Sequence, residues 1–224
     1  ITIGNPDLKP EKANYYNINV EYAGKYLNVS VNGYINDVKD IIEKYDVGVT
    51  DEDKANGIKT RNVYHNLDKA SIKGFDVTIN SYLGAGFAAG SYNCVYAADD
   101  SGRRLSESVR HAATFRAGWS HEWNKYKLRA NINGRMQGSK YIYKKTTDKT
   151  TGKDIYTDVS APKYQLWNLA TTHTFAPVGN FLFEINAGID NIFDWTDDRP
   201  SGVNYATLNP GRTLFASLVI RFTK

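Results

Sequence analysis

The sequence predicts an all-β protein whose antiparallel strands form a transmembrane β-barrel. Three observations support this fold class. Most of the chain alternates apolar and polar residues, short and long connections follow one another in turn, and aromatic residues gather beside the short connections. Successive residues of a strand point to opposite faces of a sheet, so each alternating stretch supplies one apolar and one polar face.

Composition agrees with strands that cross a membrane. The 224 residues include 16 Tyr, 18 Gly and a single Met, a balance typical of strands and turns rather than helices. The mean hydropathy is −0.51, and no run of about 18 apolar residues exists that would make a transmembrane helix. A membrane strand needs no such run, because polar residues facing the interior of the barrel dilute its apolar ones. The chain begins at Ile1, so we expect a mature protein or a piece of a longer one.

Nine alternating stretches are predicted as strands. The last is the clearest, because Leu214, Leu218 and Ile220 share one face while Ser217 and Arg221 lie on the other. The strand beginning at Lys69 is similar, with Val77 and Ile79 on its apolar face. Together the predicted strands span 14–22, 27–45, 69–83, 87–98, 111–121, 128–136, 164–175, 181–190 and 213–222.

The connections between these strands alternate in length. Short ones fall near 23–25, 84–86, 122–125 and 176–180. Long ones fall at 47–66, 99–109, 144–163 and 191–212. A soluble meander has no reason to place every long loop at one end. An outer-membrane barrel does, since its periplasmic turns are short and its extracellular loops are long.

The polar faces and the aromatic residues favour the same fold. Arg129, Asn131, Asn133 and Arg135 share one face and cannot lie in a dry core without partners. We therefore expect them to face a wet or plugged bore, with the apolar face toward lipid. Aromatic rings favour membrane interfaces, so a periplasmic girdle is predicted from Tyr22, Tyr26, Tyr82, Phe87, Trp119, Trp123, Tyr126, Phe175, Phe181 and Phe222.

Four segments resemble motifs of TonB-dependent outer-membrane receptors. Residues 5–11 (Asn-Pro-Asp-Leu-Lys-Pro-Glu) resemble the Asn-Pro-X-Leu-X-Pro-Glu box that precedes a barrel strand in this family. Residues 72–76 resemble a strand in which Gly and an apolar residue precede an acid. Residues 188–194 are similar to the Asn-Leu-Phe-Asp motif before the last strand, and 210–213 with the strand that follows resemble the C-terminal signature.

The resemblance implies a fold and a function. It implies a plugged barrel of about 22 strands, of which residues 1–224 hold the C-terminal portion, without the plug and the first strands. The implied function is active transport across the bacterial outer membrane. Such receptors bind a scarce, large ligand (an iron chelate, haem or cobalamin) with extracellular loops and import it with energy derived from TonB. The implied partners are outer-membrane lipid, the plug and remaining strands, TonB through the plug, the ligand and, as an open question, a surface lipoprotein.

Candidate site residues follow from this interpretation. Aromatic rings and guanidinium groups in long connections offer stacking faces and charge-assisted hydrogen bonds to a ligand. The loop candidates are Tyr64, His65, Arg103, Arg104, Trp195, Arg199 and Tyr205. Ligation of haem iron by His65 is the alternative to a plain loop role, and the plain role is favoured. On the bore side, Arg116, Arg129, Arg135 and Arg221 are expected to bond plug carboxylates, with a translocation path as the alternative.

No constellation in the sequence predicts catalysis. The four His residues show no repeated spacing to Ser or acidic residues, and no phosphate-binding loop is present. We therefore expect no enzyme, no cofactor and no resident metal. The acidic pairs at 99–100 and 197–198 are interpreted as loop charges rather than calcium sites. A net charge of +4, dispersed along the chain, disfavours nucleic acid as a partner.

Two other classes of protein stay open from the sequence. One is a soluble β-sandwich that binds carbohydrate, which would fold as a monomer without detergent. The other is a passive, porin-like barrel, which would conduct ions without a plug.

Overall fold

The computed structural model describes residues 1–147, 154–197 and 209–222. Within this part of the chain there are 14 strands and one short helix. In chain order they are β1 (Thr2–Ile3), β2 (Lys12–Ala23), β3 (Leu27–Asp46), α1 (Asp51–Ala55), β4 (Asn62–Leu83), β5 (Gly86–Asp99), β6 (Ser108–Val109), β7 (His111–Trp123), β8 (Tyr126–Gln137), β9 (Lys140–Tyr141), β10 (Tyr143–Thr147), β11 (Asp154–Asp158), β12 (Tyr164–Phe175), β13 (Phe181–Asp190) and β14 (Thr213–Phe222).

Nine of these strands form one antiparallel meander. Its order is β2, β3, β4, β5, β7, β8, β12, β13 and β14, each hydrogen-bonded to the next. This confirms the nine predicted strands. The turns at the ends of β2, β4, β7 and β12 are short, and the connections at the opposite end of the sheet are long. The two outermost strands, β2 and β14, do not pair with each other among the described residues, so the sheet is open.

The strand registers place the polar and apolar residues on two continuous faces. Val20 lies opposite Val31, which lies opposite Val77, while Asn19 lies opposite Asn32, which lies opposite Asp76. Because directly opposed residues point to the same side of a sheet, each row continues from strand to strand. We call one side the apolar face; it includes Ile18, Val20, Val29, Val31, Phe75, Val77, Ile79, Tyr92, Phe115, Trp119, Ile132, Met136, Trp167, Leu169, Ile185, Ile189, Leu214, Leu218 and Ile220.

Nothing in the described part of the chain covers the apolar face. Ile18 is 70% exposed and Leu214 is 72% exposed, and both lie on this face. The further sheets, β6 with β9 and β10 with β11, have two strands each and lie among the long connections. The buried apolar residues are few, namely Ala70, Ala97, Ala98, Ile142, Ala161 and Tyr164. The interlocked second sheet that a β-sandwich requires is therefore absent from the described residues.

No helix in the described residues has the length and apolarity to cross a membrane.

Two of the long connections differ from the sequence prediction. Strand β4 begins at Asn62 rather than near Lys69, so the first long connection is only 47–61. The third long connection begins at Gly138 and contains β9, β10 and β11, where a long polar segment was expected at 144–163. The cause is that pairing with a neighbour stabilises polar strands whose residues alternate poorly.

The girdle prediction also needs a correction at two positions. Tyr82 lies opposite Phe87, which lies opposite Gly118. This row belongs to the polar face, because the next row on that face joins Ala89 to Arg116. Tyr82 and Phe87 therefore share the polar face. Trp119, Trp123, Tyr126 and Phe175 lie on the apolar face as predicted.

Candidate functional site

The loop candidates lie toward the long-connection end of the sheet. There the N-terminal box, residues 5–11, contacts the hairpin formed by β3 and β4. Strands β3 and β4 continue past Asp40, which has a left-handed φ of 56°. At this break Asn66 donates to the carbonyl of Asp40 at 2.6 Å and to that of Lys9 at 2.9 Å. Glu11 accepts from the amide of Ile42 at 2.6 Å. Lys9 and Glu11 of the box thus hydrogen-bond groups of β3 and β4 beside Asp40, where the pairing of the two strands is interrupted.

Helix α1 closes the tip of this hairpin through a complete N-terminal cap. Thr50 Oγ1 accepts from the amide of Asp53, and the Asp53 carboxylate accepts from the amide of Thr50 at 2.9 Å. Arg61 adds a third bond to the same carboxylate at 2.9 Å. The amide of Thr50, followed by the Arg61 side chain, lowers the pKa of Asp53 to about 2. Asp53 is therefore ionised at neutral pH and serves the loop rather than a ligand.

In the next connection, the buried carboxylate of Asp99 pairs with the partly exposed guanidinium of Arg103. Asp99 is 9% exposed and accepts from both Nε and Nη2 of Arg103, at 3.0 and 2.7 Å. It also accepts from the amides of Ser101 and Arg103 and from the Ser101 hydroxyl. Asp99 was expected to be a solvated loop charge, and that expectation is wrong, because its oxygens close the turn that follows β5.

Arg103 and Arg104 reach across to the third long connection. The Arg103 guanidinium lies 3.9 Å from the centre of the Tyr156 ring and 5.7 Å from that of Tyr143. The Arg104 guanidinium lies 4.9 Å from the centre of the Tyr141 ring. Stacking of guanidinium on aromatic faces is favourable. We call these five residues (Arg103, Arg104, Tyr141, Tyr143 and Tyr156) the arginine–tyrosine cluster.

Two further contacts tie the arginine–tyrosine cluster to its neighbours. Tyr143 donates to the Glu43 carboxylate of β3 at 3.3 Å. Burial, followed by the negative charge of Glu43, raises the pKa of Tyr143 above its usual value. Lys140 lies 3.4 Å from Glu107 in a second link between the two connections. The cluster is thus a platform of rings and cations built from three separate segments.

The motifs at 188–194 and 210–213 contact each other and set the base of the last connection. Asn191 is 3% exposed and bonds both the amide and the carbonyl of Trp195, at 2.9 and 2.7 Å. Asp194 accepts from the amide of Arg212 at 2.7 Å. Gly211 has a φ of 87°, which suits only glycine beside that carboxylate. These bonds position Trp195, whose ring packs on Tyr164 at 5.2 Å.

The seven loop candidates fall into three groups in the structure. Tyr64 and His65 lie in β4, opposite Lys44 and Glu43, so their placement in a loop is wrong. Arg103 and Arg104 come together in the cluster, and Trp195 lies apart from them against Tyr164. Arg199 and Tyr205 lie outside the described residues. Contact with a ligand stays a prediction for all seven.

Sequence reasoning missed the three tyrosines of the cluster. Tyr141 and Tyr143 lie one residue apart in an otherwise polar stretch, a spacing that puts both rings on one side of a strand. That spacing was the available signal. Their partner Tyr156 comes from β11, which no local pattern brings opposite β10.

The four arginines predicted to face the bore share the polar face. Arg116 lies opposite Asn133 and Arg135 opposite Thr114. Arg129 and Arg221 converge on Glu184, at 4.0 and 3.8 Å, while staying 51% and 60% exposed. Their side chains thus have capacity for additional partners on this side of the sheet. Their contact with a plug stays a prediction.

Within the described part of the chain, no group of three or more His, Cys, Asp or Glu residues could hold a metal ion. The expectation that the acidic pair at 197–198 forms no calcium site falls partly outside the described residues, which stop at 197.

Replacement of Asp99 by Asn is expected to loosen the connection at 100–110. Burial by itself raises the pKa of Asp99, but hydrogen bonds from Ser101 and Arg103 outweigh it, so the net pKa is lowered. A bond to a charged group contributes about 1.5–3 kcal/mol, so amide exchange in this turn should accelerate about tenfold or more. Hydrogen exchange of the whole receptor in detergent measures the exchange rates of these amides.

The stability of this turn is expected to fall at low pH. Because the folded pKa of Asp99 is depressed, its stabilisation is complete above the ordinary aspartate pKa and is lost as pH falls through the folded value. Asp100→Asn is the matched control, since Asp100 is exposed and contributes only its amide, bonded to the Lys69 carbonyl at 3.2 Å. Equal exchange rates in the two variants would contradict the role of Asp99.

Comparison with known protein families decides what this sheet belongs to. The family model described as TonB dependent receptor-like, beta-barrel, matches residues 1–192. The chain belongs to this TonB-dependent receptor family. Membership confirms the resemblance to this family and the transmembrane β-barrel fold class. Which face of the sheet meets lipid stays a prediction. The family is one of transport receptors rather than enzymes.

Solved receptors of the outer membrane share the fold. The chain is 20% identical to the ferripyoverdine receptor of the outer membrane of Pseudomonas aeruginosa, with a TM-score of 0.63, over 94% of this chain and 27% of the receptor. The chain is 19% identical to the copper transporter OprC, with a TM-score of 0.63, over 95% of this chain and 32% of that protein. It is 19% identical to the siderophore receptor PirA from Acinetobacter baumannii, with a TM-score of 0.62, over 97% of this chain and 32% of that receptor. The chain thus spans about a third of the length of these proteins.

Proposed function

We propose that this chain is the C-terminal part of the barrel of an outer-membrane receptor that binds a metal chelate and imports it with energy derived from TonB. One observation carries the proposal. The chain belongs to a family of transport receptors. Its single open sheet presents lipid-compatible side chains on one face and hydrogen-bonding side chains on the other. A pathway through a membrane needs both faces at once.

The open edges support the view that further strands complete the barrel. In the described residues, β2 and β14 each pair on one side only. Unpaired backbone groups are too costly in hydrocarbon to persist there. The limited share of the solved receptors that the chain covers agrees with this arrangement. A plug within the completed barrel would meet the exposed guanidinium groups of Arg129 and Arg221.

A metal chelate suits the chemistry of the arginine–tyrosine cluster. Its tyrosine rings offer stacking surfaces, and the Arg104 guanidinium, which is not engaged by Asp99, offers charge-assisted hydrogen bonds to carboxylate or phenolate oxygens. The structural neighbours include a receptor bound to ferripyoverdine, a siderophore receptor and a copper transporter. Haem or cobalamin as ligand, haem ligation by His65 and a surface lipoprotein stay predictions.

The proposed orientation puts the long connections outside the cell. In a variant that lacks Cys94, the substitution Lys59→Cys places a thiol in the first long connection, and Asn124→Cys places one in a short turn. A membrane-impermeant maleimide added to intact cells is expected to label Lys59→Cys only. Permeabilising the outer membrane should expose Asn124→Cys. The reverse order of labelling would contradict the orientation.

Energy-dependent uptake tests the function itself. Cells that produce the whole receptor are given chelates of radioactive iron with catecholate or hydroxamate groups, and haem and cobalamin in parallel. We expect at least one ligand to bind at the surface and to enter only while TonB and the proton gradient are present. Entry that is independent of both, together with ion conductance by the purified barrel, would favour the passive porin-like alternative.

A further inference from the structure

The apolar face ends at a set of cations that the proposed transport function leaves unused. On β4 this face runs from Leu83 through Ile79, Val77 and Phe75 and stops at Lys73. Leu83 lies ten positions after Lys73, which is about 33 Å along a strand. At a strand tilt of about 40° this corresponds to about 25 Å across the membrane, the height of the apolar band of an outer-membrane barrel. Lys73 therefore lies at the boundary between hydrocarbon and headgroups.

Two cations meet at one aromatic ring on this boundary. Lys73 lies opposite Tyr96 of β5, and its Nζ is 5.5 Å from the centre of the Tyr96 ring. The guanidinium of Arg110, which immediately precedes β7, is 4.9 Å from the same centre. The two charges are thus no farther apart than the sum of these distances. All three side chains are exposed.

Neither cation is neutralised by the chain itself. In the part of the chain that the structure describes, no ion pair joins Lys73 or Arg110 to a carboxylate, whereas Arg103 is paired with Asp99 at 2.7 Å. Two cations that share one ring without a carboxylate partner would both be stabilised by an anion close to them. The arrangement therefore suits an oxyanion.

A groove whose wall includes His111, the residue after Arg110, suits the apolar part of the same ligand. It has a volume of about 710 Å³ and lies between β5, β7, β8 and β12, with Tyr92, Ala113 and Met136 of the apolar face in its wall. Tyr92 bonds His111 Nδ1 at 2.8 Å at its upper border. Lys163 lines the same groove and supplies a cation there. Hydrocarbon chains fit the wall, and a negative headgroup fits the border.

We propose that Lys73, Tyr96 and Arg110 bind the phosphate of a phosphate-bearing lipid of the outer leaflet, whose chains lie along the apolar face toward the groove. The inference rests on the proposed orientation, in which this end of the sheet faces outward. The site is distinct from the arginine–tyrosine cluster, because Lys73 lies at the end of the apolar face and has no carboxylate partner among the described residues, whereas Arg103 is paired with Asp99. Each cation near such a surface contributes about fivefold to binding.

Lipid binding to the whole receptor in phosphatidylcholine nanodiscs tests the proposal. The probe is phosphatidic acid, and diacylglycerol with the same chains is the comparison that lacks only the phosphate. Retained phosphatidic acid, counted by native mass spectrometry, should exceed diacylglycerol. The double variant Lys73→Gln, Arg110→Gln should retain about 25-fold less phosphatidic acid with its diacylglycerol binding unchanged.

Arg116→Gln is the matched control variant, because Arg116 also lies over an aromatic ring, that of Phe87 at 5.7 Å, but on the polar face. It should bind phosphatidic acid as the unmodified receptor does. Heat-modifiable migration in gels verifies that every variant has folded.

Unchanged phosphatidic acid binding in the double variant, or displacement of the lipid by inorganic phosphate alone, would overturn the proposal. Energy-dependent uptake, assayed separately, should persist in the double variant, so a failure of this site is distinguishable from a failure of the transport function.

Discussion

Val31→Arg is expected to prevent most of the receptor from assembling in the membrane. Val31 lies midway along the part of β3 that carries the apolar face, between Val20 of β2 and Val77 of β4. It is 41% exposed in the described sheet, and in the proposed barrel that exposed surface would meet hydrocarbon. Arginine at the midplane on the lipid side of a barrel costs about 2–4 kcal/mol. The fraction of receptor with heat-modifiable mobility, measured in outer-membrane extracts, reports this loss.

The neighbouring residue supplies a matched control. Asn32 lies opposite Asn19 and Asp76 on the polar face. An arginine there would meet water and a carboxylate, so Asn32→Arg should assemble nearly as well as the unmodified receptor. If Asn32→Arg failed and Val31→Arg assembled, the assignment of lipid and bore to the two faces would be reversed.

Gly74→Ala is expected to disturb the pairing of β4 with β5. A Cβ atom at Gly74 would overlap the backbone carbonyl oxygen of Cys94 and lie 2.9 Å from the Tyr34 hydroxyl. Because the first contact is with backbone, no side-chain rotation relieves it, and the strands must separate locally. Overpacking of this kind costs about 1–3 kcal/mol. The midpoint of urea unfolding in detergent should fall accordingly.

Gly90→Ala tests whether the cost is specific to that close approach. Gly90 is an interior residue of the adjacent strand β5, but a Cβ there would lie 3.5 Å from the Thr114 carbonyl, an ordinary contact. The change in stability should stay within about 0.5 kcal/mol. Equal destabilisation by the two substitutions would show that Gly74 has no special role. A greater loss of stability in Gly74→Ala than in Gly90→Ala would explain why the motif at 72–76 includes a glycine.

Local alternation was sufficient to predict the meander. In β14, Leu218 and Ser217 already assign the two faces, because side-chain direction in a strand depends only on the parity of the position. The same rule placed Arg116, Arg129, Arg135 and Arg221 together on the polar face, as the registers confirm. Turn chemistry helped as well, since Gly84 has a φ of 57° in the short turn between β4 and β5.

Predictions were wrong where partners distant in sequence decide the structure. His65 was placed in a loop because its neighbours are polar, yet it lies in β4 opposite Glu43. Asp99 was interpreted as a solvated charge, because nothing local indicates that Arg103 folds back onto it. Phe87 was assigned to the girdle from its position beside a turn, without regard to the face it shares with Arg116.

The sequence by itself determined the fold class, the nine principal strands and the chemical character of each face, since these depend on residues one or two positions apart. The tertiary structure alone decided which cations have partners. Arg103 is neutralised by Asp99, whereas Lys73 and Arg110 share a tyrosine ring. The physical reason is that charge pairing acts over a few ångströms in space, and strand register sets which side chains come that close.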